Sequence, residues 1–337
     1  MKSKLIVLTT LLLLASSLVA QKKPEKPKLH ADFYLGTYPV SRDAAALLAK
    51  ENARMLLVGF HQGWDIEKIA KEAKATPEDM DKVFADLDDA RLASEIDQYT
   101  KRPMLAVIRD KDIEKVQRKL LTDTQDFANV FQSHWAEIET AAASFTGAQN
   151  VPKPQLLYQI VVGGILFGGM NDSFFEDQTL MVNPPRRTGS QRYYAWLVES
   201  DPALAGLLKR EQWESGGYTM VSVGFGLPKE RTTLDQVRAA KGMVLDEAEA
   251  RRFRSFIAIF SREKLLPFFK KNRSDFLKAL DLLDAGHYVS VSEAFAWYYD
   301  QMANGVAAQL VKARLIEAPG GQSPNGQYAY ALRAPAR

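Results

Sequence analysis

The sequence predicts a helix-rich α+β fold, and three observations lead to it. Long stretches repeat apolar residues every three or four positions, the pattern of helices with one buried face. Two shorter runs, Arg192–Glu199 and Tyr218–Phe225, are rich in aromatic and β-branched residues, as strands are. A stretch of turn-forming residues at 147–154 indicates a boundary. We therefore expect a helical unit over 41–150, a central mixed α/β unit over 151–275 and a C-terminal unit over 276–337.

The first 20 residues predict export. Lys2 and Lys4 precede an apolar run from Leu5 to Leu14, and small residues follow up to Ala20. This order is typical of a secretory signal peptide, and the run is shorter than the roughly 20 apolar residues of a membrane span. We expect cleavage after Ala20, a periplasmic or secreted protein, and no stable membrane span in the mature chain. An uncleaved N-terminal anchor is the alternative.

Residues 21–40 follow as a predicted flexible tether, because they begin with the charged, proline-rich sequence QKKPEKPK. Phe33–Val40, at the end of the tether, is expected to form an edge strand or a wrapping segment.

The composition excludes several classes of protein. No cysteine is present, which excludes disulfides, a lipid-anchored lipoprotein and thiol chemistry. Of the 44 basic residues, 42 remain once Lys2 and Lys4 are removed, against 41 acidic residues. A net charge of +1 provides no overall attraction to nucleic acid or anionic lipid.

The opening unit contains two short helices joined by a tight turn. Thr76 and Pro77 are suited to begin the second helix, as its N-cap and first residue. That helix is expected to run past Leu92, and Met104–Ile108 is expected to form a short buried strand. Its predicted buried stripe consists of Met80, Val83, Phe84, Leu87 and Ala90.

This order of elements over Trp64–Arg109 resembles the winged helix-turn-helix domain of bacterial transcription regulators. An ordinary helical hairpin beside a strand is the alternative. The resemblance implies DNA binding, but the charge opposes it. Between Pro77 and Asp97 the sequence has eight acidic and two basic residues, a net of −6. A DNA backbone would repel that surface, so we expect no nucleic-acid partner.

The remainder of the chain is expected to be mostly helical. A long helix follows Asp110, and Leu156–Phe175 predicts a buried, closely packed helix that contains a GxxxG sequence at Gly164–Gly168. Near the C-terminus, Ser290 and Glu293 indicate a capping box, and Asn304-Gly305 indicates a turn between two helices. With Leu315–Glu317 pairing with Tyr328–Leu332 as a wing, residues 276–337 would form a second winged-helix-like unit.

No catalytic, metal or cofactor motif is present. The four histidines lack the spacing of metal ligands, and no glycine-rich phosphate loop or GxSxG sequence occurs. The acid pairs Glu199/Asp201 and Glu211/Glu214 would suit glycoside hydrolysis only if they faced one cleft, and a solvated surface is the simpler interpretation. We therefore predict no catalytic residue, no metal and no cofactor.

A cluster of aromatic residues offers the one candidate binding site. Tyr194, Trp196, Trp213 and Tyr218 are suited to stack against a sugar or peptide, with Arg186 and Arg187 able to bind an anion. Since strand side chains alternate, Tyr194 and Trp196 share one face and Tyr193 occupies the other. We favour the core for Trp196, with the opposite face open.

Three functions follow from these observations. The leading prediction is an exported, non-catalytic binding or scaffold protein that uses winged-helix-like modules for protein interaction. A protein partner is expected, with a glycan or peptide as the other possibility. The alternatives are an envelope hydrolase acting on glycan or peptide, and a membrane-tethered DNA-binding regulator.

Overall fold

The fold is α+β and rich in helix, as the sequence predicts. It was obtained as a computed structural model that describes residues 32–97, 100–187, 191–199, 201, 204, 206–227, 230–283, 289–320 and 327–335. The predicted signal peptide and residues 21–31 of the predicted tether lie outside the described residues.

The first part of the chain forms one edge strand, four short helices, a hairpin, one further short strand and two further helices. In order these are β1 Phe33–Tyr38, α1 Arg42–Leu48, α2 Glu51–His61, α3 Ile66–Ala73, α4 Pro77–Asp89, β2 Ala93–Asp97, β3 Thr100–Pro103, β4 Ala106–Ile108, α5 Asp110–Ser133 and α6 Trp135–Ala143. Side chains of Ser41, Asp65 and Thr76 accept hydrogen bonds from the first turns of α1, α3 and α4, which explains where these helices begin.

The second part alternates helices with a larger sheet. It contains α7 Lys153–Tyr158, a π-helical segment Gln159–Gly169, α8 Met170–Asp177, β5 Tyr194–Glu199, β6 Leu208–Ser215, β7 Tyr218–Phe225, α9 Leu234–Ala239, β8 Val244–Leu245, α10 Glu247–Phe260, a π-helical turn Ser261–Leu265, α11 Leu266–Lys271, α12 Arg273–Asp281, α13 Val291–Lys312 and β9 Gln327–Arg333.

A three-stranded sheet of order β1-β5-β4 lies between the two main hydrophobic cores. Strand β5 pairs antiparallel with β1 and parallel with β4. Trp196 and Tyr194 face the larger core, whereas Tyr193 and Leu197 face the smaller one. Both faces of the sheet are therefore covered.

The smaller core belongs to α1–α4, β1 and the strands beside them, and the larger core is formed by the remaining helices. In the larger core α13 contributes Phe295, Trp297 and Tyr299, all fully buried. Residues from Tyr38 to Leu332 share this one core. The predicted boundaries at 150 and 275 therefore do not separate hydrophobic cores.

A four-stranded sheet of order β6-β7-β9-β8 packs one face on the larger core. Its other face forms a small cluster with α9, around Met220 and Val237. Strand β6 forms one edge of this sheet. Strand β6 contains Trp213, one of the residues of the predicted aromatic binding site.

The buried glycine-rich helix predicted at 156–175 is present, and two of its glycines explain its close packing. A Cβ atom on Gly169 would lie 2.5 Å from Ser261 Oγ, and one on Gly164 would lie 2.8 Å from Ile257 Cδ1. Only a residue without a side chain allows this segment to approach α10 so closely.

In the opening unit, helix α4 ends at Asp89 and does not run past Leu92 as predicted. Arg91 adopts a left-handed conformation with φ of 54°, and Leu92 N–H closes the turn on the carbonyl of Leu87 at 2.8 Å. The hairpin β2–β3 follows, and β4 pairs with β5 in the central sheet. The resemblance to a winged helix remains a prediction.

Two predictions for the C-terminal unit are wrong. Helix α13 continues through Asn304 and Gly305, where a turn was predicted. Gly305 instead lets α13 approach α5, because a Cβ there would lie 2.5 Å from Thr124 Cγ2. Strand β9 pairs with β7 and β8 and not with 315–317, so the predicted wing is not formed.

Candidate functional site

The aromatic residues predicted as a binding platform are not brought together. Tyr194 and Trp196 are completely buried, which agrees with the core position favoured for Trp196. The open face expected on the other side of β5 does not exist, because Tyr193 is buried against the smaller core. A central strand covered on both sides has no face for a ligand.

Trp213 and Tyr218 lie in the other sheet, on the face that packs against α9. Both are half-buried, and each is covered by a guanidinium group. Arg231 lies 5.7 Å from the centre of the Trp213 ring, and Arg333 lies 4.9 Å from that of Tyr218. These arginines already occupy positions that a stacked ligand would take.

The two predicted anion-binding arginines have different environments. The Arg186 side chain is exposed, whereas Arg187 is buried. Arg187 donates to the carboxylate of Glu293 at 2.7 Å and to the carbonyls of Arg91 and Met104. An internal carboxylate thus takes the place of an external anion at Arg187.

Glu293 departs from the predicted capping box. Ser290 Oγ does accept from Glu293 N–H at 3.2 Å, but the Glu293 carboxylate turns inward to Arg187 and to the N–H of Ala195, at 3.1 Å. Burial raises the pKa of Glu293 to about 7, against the lowering effect of Arg187 and the Ala195 N–H.

The acid pairs considered for hydrolysis have structural partners. Arg109 binds Glu199 through two nitrogens, at 2.5 and 3.0 Å. Arg42 and Arg231 both bind Glu211, at 2.6 and 2.9 Å. Glu214 accepts from Thr219 at the exposed end of the hairpin. These carboxylates do not form a catalytic pair.

An open cleft of about 730 Å³ lies between the residues at the starts of α1 and β5 and the edge of the four-stranded sheet. Residues 39–43 and 191–193 form one side of it, and residues 210–212 of β6 and 230–231 form the other. The lining carries four arginines and three acids, which are Arg42, Arg192, Arg210, Arg231, Asp43, Glu211 and Glu230. None of the six residues predicted from the sequence belongs to it.

Two of the four arginines share one carboxylate in the cleft wall. Burial alone would raise the pKa of Glu211, but hydrogen bonds from Arg42 and Arg231 hold it below its ordinary value. Glu211 therefore stays ionised and joins α1 to the edge of the sheet.

The other two arginines have neutral partners. Arg192 donates to the carbonyl of Pro184 at 3.0 Å, and Arg210 donates to the carbonyl of Gly163 and to Gln212 Oε1, both at 2.7 Å. Within the described part of the chain, neither guanidinium forms an ion pair with a carboxylate. Arg210 also faces the buried carboxylate of Asp172, where its charge partly offsets the rise that burial causes in the pKa of that group. Both guanidinium groups are held in place without a direct carboxylate partner, an arrangement suited to a carboxylate or phosphate ligand.

A smaller polar cavity lies behind Arg210, which lines both spaces. It is lined by Tyr38, Asn171, Lys209 and Asp300, and the hydroxyl of Tyr38 and Oδ1 of Asn171 have no hydrogen-bond partner there. Burial raises the pKa of Asp300 to about 7, partly offset by Lys209. The cleft thus has a polar inner end.

Sequence reasoning missed Arg192 and Arg210 because their neighbours in space come from distant segments. The signal that was present is the alternation of Arg210 and Gln212 on a segment bounded by turn residues, which is a strand pattern.

Comparisons with protein-family models, with curated proteins and with solved structures gave no significant match. Among the described residues, no group of three or more potential metal ligands is found. None of the described helices combines the length and apolar character that a bilayer crossing requires.

Proposed function

We propose that this protein is an exported, non-catalytic binding protein, periplasmic or secreted, whose cleft binds an anionic group of its ligand. The observation that carries the proposal is the pair Arg192 and Arg210, which face one cleft without carboxylate partners. Export rests on the signal-peptide pattern of residues 1–20.

A guanidinium group matches this role for a physical reason. Its planar set of donors binds a carboxylate or phosphate through two parallel hydrogen bonds, and its charge does not titrate away. Hydrogen bonds to charged groups contribute about 1.5–3 kcal/mol each, so two arginines are sufficient for measurable affinity. The carbonyl and amide partners of Arg192 and Arg210 fix their positions before the ligand arrives.

The winged-helix-like module presents an acidic surface. The carboxylates of Glu78, Asp79, Asp81, Asp86 and Asp88 on α4 are exposed. This surface is unsuited to DNA, so we propose that the module contributes to packing and protein interaction. No hydrolytic function is proposed, because Glu199 and Glu211 are engaged by arginines.

Isothermal titration with citrate, a small anion without peptide bonds, tests the cleft. We expect binding that weakens with added salt, and an affinity about tenfold lower, or about 1.4 kcal/mol, in Arg192→Gln and in Arg210→Gln. Arg251→Gln is the matched control, since Arg251 is exposed on α10 and outside the cleft.

Thermal melts of all variants establish that each is folded. Equal affinities of the wild type and both cleft variants, or no binding of citrate at low salt, would show that the cleft is not an anion site.

A further inference from the structure

Strand β6 exposes a main-chain edge beside the cleft. It pairs with β7 on one side only, and the N–H of Gly226 donates to the carbonyl of Leu207 at 3.0 Å. Main-chain groups alternate in direction along an antiparallel strand. Residues 207, 209, 211, 213 and 215 therefore face β7, and residues 208, 210, 212 and 214 face away from it.

The first of these four outward positions is capped by the protein itself. The N–H of Leu208 donates to Asn304 Oδ1 at 3.0 Å. At Arg210, Gln212 and Glu214 the main-chain N–H and C=O groups have no such partner within the described chain. Three alternate residues thus present six hydrogen-bonding groups in a row, which is the template that an added strand uses.

The ion pairs of the cleft do not use the main-chain groups of this edge. Glu211 extends from one face of β6 to Arg42 and Arg231, while Arg210 and Gln212 extend from the opposite face. These contacts use side chains and none of the outward main-chain groups. At Arg210 and Gln212 the edge forms a hydrogen-bonding wall of the cleft, with Arg192 across from it, and the edge continues beyond the cleft to Glu214.

We infer that the ligand is an extended acidic peptide segment of a partner protein, which adds to β6 as a fifth strand of the sheet. The inference rests on the proposed function, because the same arginines bind the acidic side chains. Peptide N–H and C=O groups pair with Arg210, Gln212 and Glu214, and carboxylates at alternate positions contact Arg210 and Arg192.

The shape of the cleft argues for a single peptide segment. Residues 39–43 and 191–193 lie opposite β6, and the Arg42–Glu211 ion pair extends from one wall of the cleft to the other. The cleft is therefore only about as wide as these two side chains, which favours one extended chain over the sheet of a second copy. Charge selects the peptide: the lining has four arginines against three acids, so an acidic peptide, which complements Arg192 and Arg210, is favoured over a basic one.

The test uses an eight-residue peptide of alternating Glu and Val with blocked ends, titrated into the mature protein. Two further versions carry N-methyl groups, one on every Glu and the other on every Val. Strand addition uses one edge of the peptide, so we expect one methylated version to lose at least tenfold in affinity and the other to bind like the parent.

A variant of the protein provides the matching test. Glu214→Pro removes one outward N–H and places a ring on the edge, whereas Glu214→Ala retains the N–H. We expect at least tenfold weaker peptide binding in Glu214→Pro than in Glu214→Ala, with citrate binding equal in both, since Glu214 does not line the cleft.

Citrate binding distinguishes a failure of strand addition from a failure of the anion site. Strand addition is overturned, and the anion site stands, if citrate binds and the peptides give any of three results. These are that both methylated peptides bind like the parent, that both methylated peptides lose affinity, or that the parent peptide does not bind. Loss of peptide binding on formation of a dimer would assign the edge to a second copy. If neither citrate nor peptide binds, the proposed function fails as well.

Discussion

Buried charged residues are the clearest feature at the scale of single side chains. Asp300 lies in the inner cavity, where it accepts from Asn304 at 3.2 Å and Gln301 at 3.3 Å, and Lys209 is the nearby cation. Gly206, with φ of 92°, packs directly on this carboxylate, and any Cβ there would collide with it. The backbone at Gly206 thus leaves room for the Asp300 carboxylate, whose charged form is destabilised by burial.

This environment predicts how stability depends on pH. Burial raises the pKa of Asp300 from 3.8 to about 7, so the folded protein keeps the proton to a higher pH than the unfolded chain does. The stability gained from this difference is complete below pH 4 and is lost as the pH rises to 7. Between pH 4 and pH 8 we expect the free energy of unfolding to fall less in Asp300→Asn than in the wild type. The difference between the two falls should be on the order of a few kcal/mol.

Urea unfolding at several pH values measures the difference, with wild type and variant in the same buffers. Parallel pH profiles for the two proteins would show that Asp300 ionises in the folded state as it does in the unfolded chain.

At the scale of elements, periodicity predicts helices well when one face is buried. In α4 the predicted stripe includes Met80, Phe84 and Leu87, and all three are buried. Phe84 contacts Phe60 edge-to-face, with ring centres 5.8 Å apart, and Lys101 lies over its ring.

Phe84→Ala should therefore lower the free energy of unfolding by about 3–5 kcal/mol, because it removes a ring and leaves a cavity between α4 and α2. Asp88→Ala, on the exposed side of the same helix, is the control and should change it by less than about 0.5 kcal/mol. Chemical denaturation of both variants is the measurement; equal midpoints would mean that Phe84 contributes nothing to this packing.

The sequence was less informative about residues that contact segments far away along the chain. Strand Tyr218–Phe225 was predicted with the observed boundaries, because its pattern is local. The sequence Asn304-Gly305 is typical of a turn, yet both residues lie within helix α13. Asn304 accepts a hydrogen bond from β6, and Gly305 lets α13 pack closely on α5. The cleft was missed altogether, since Arg42, Arg192 and Arg210 meet only through the tertiary fold.

At the scale of the whole molecule, one buried ion pair joins the parts of the chain. Arg187 connects the carbonyls of Arg91 and Met104, beside the smaller core, to Glu293 on α13 in the larger one. Such a pair adds little net stability compared with apolar packing, but its disruption leaves a charge buried without a partner.

Arg187→Leu should accordingly destabilise the protein by about 3–5 kcal/mol. Arg186→Leu is the matched control, because the neighbouring side chain is exposed, and its effect should stay within about 0.5 kcal/mol. Thermal unfolding followed by circular dichroism distinguishes the two; similar melting temperatures would show that Glu293 is protonated and tolerates the loss of Arg187.

The central sheet has a consequence for the order of events during synthesis. Strand β1 leaves the ribosome early, but Phe33 lies opposite Glu199, a partner beyond the middle of the chain. Until β5 has been made, the smaller core lacks Tyr193, Ala195 and Leu197 on its inner wall. Contacts between such distant segments form slowly. The nascent N-terminal half therefore stays open until β5 has emerged, so the smaller core closes only after more than half of the chain has been made.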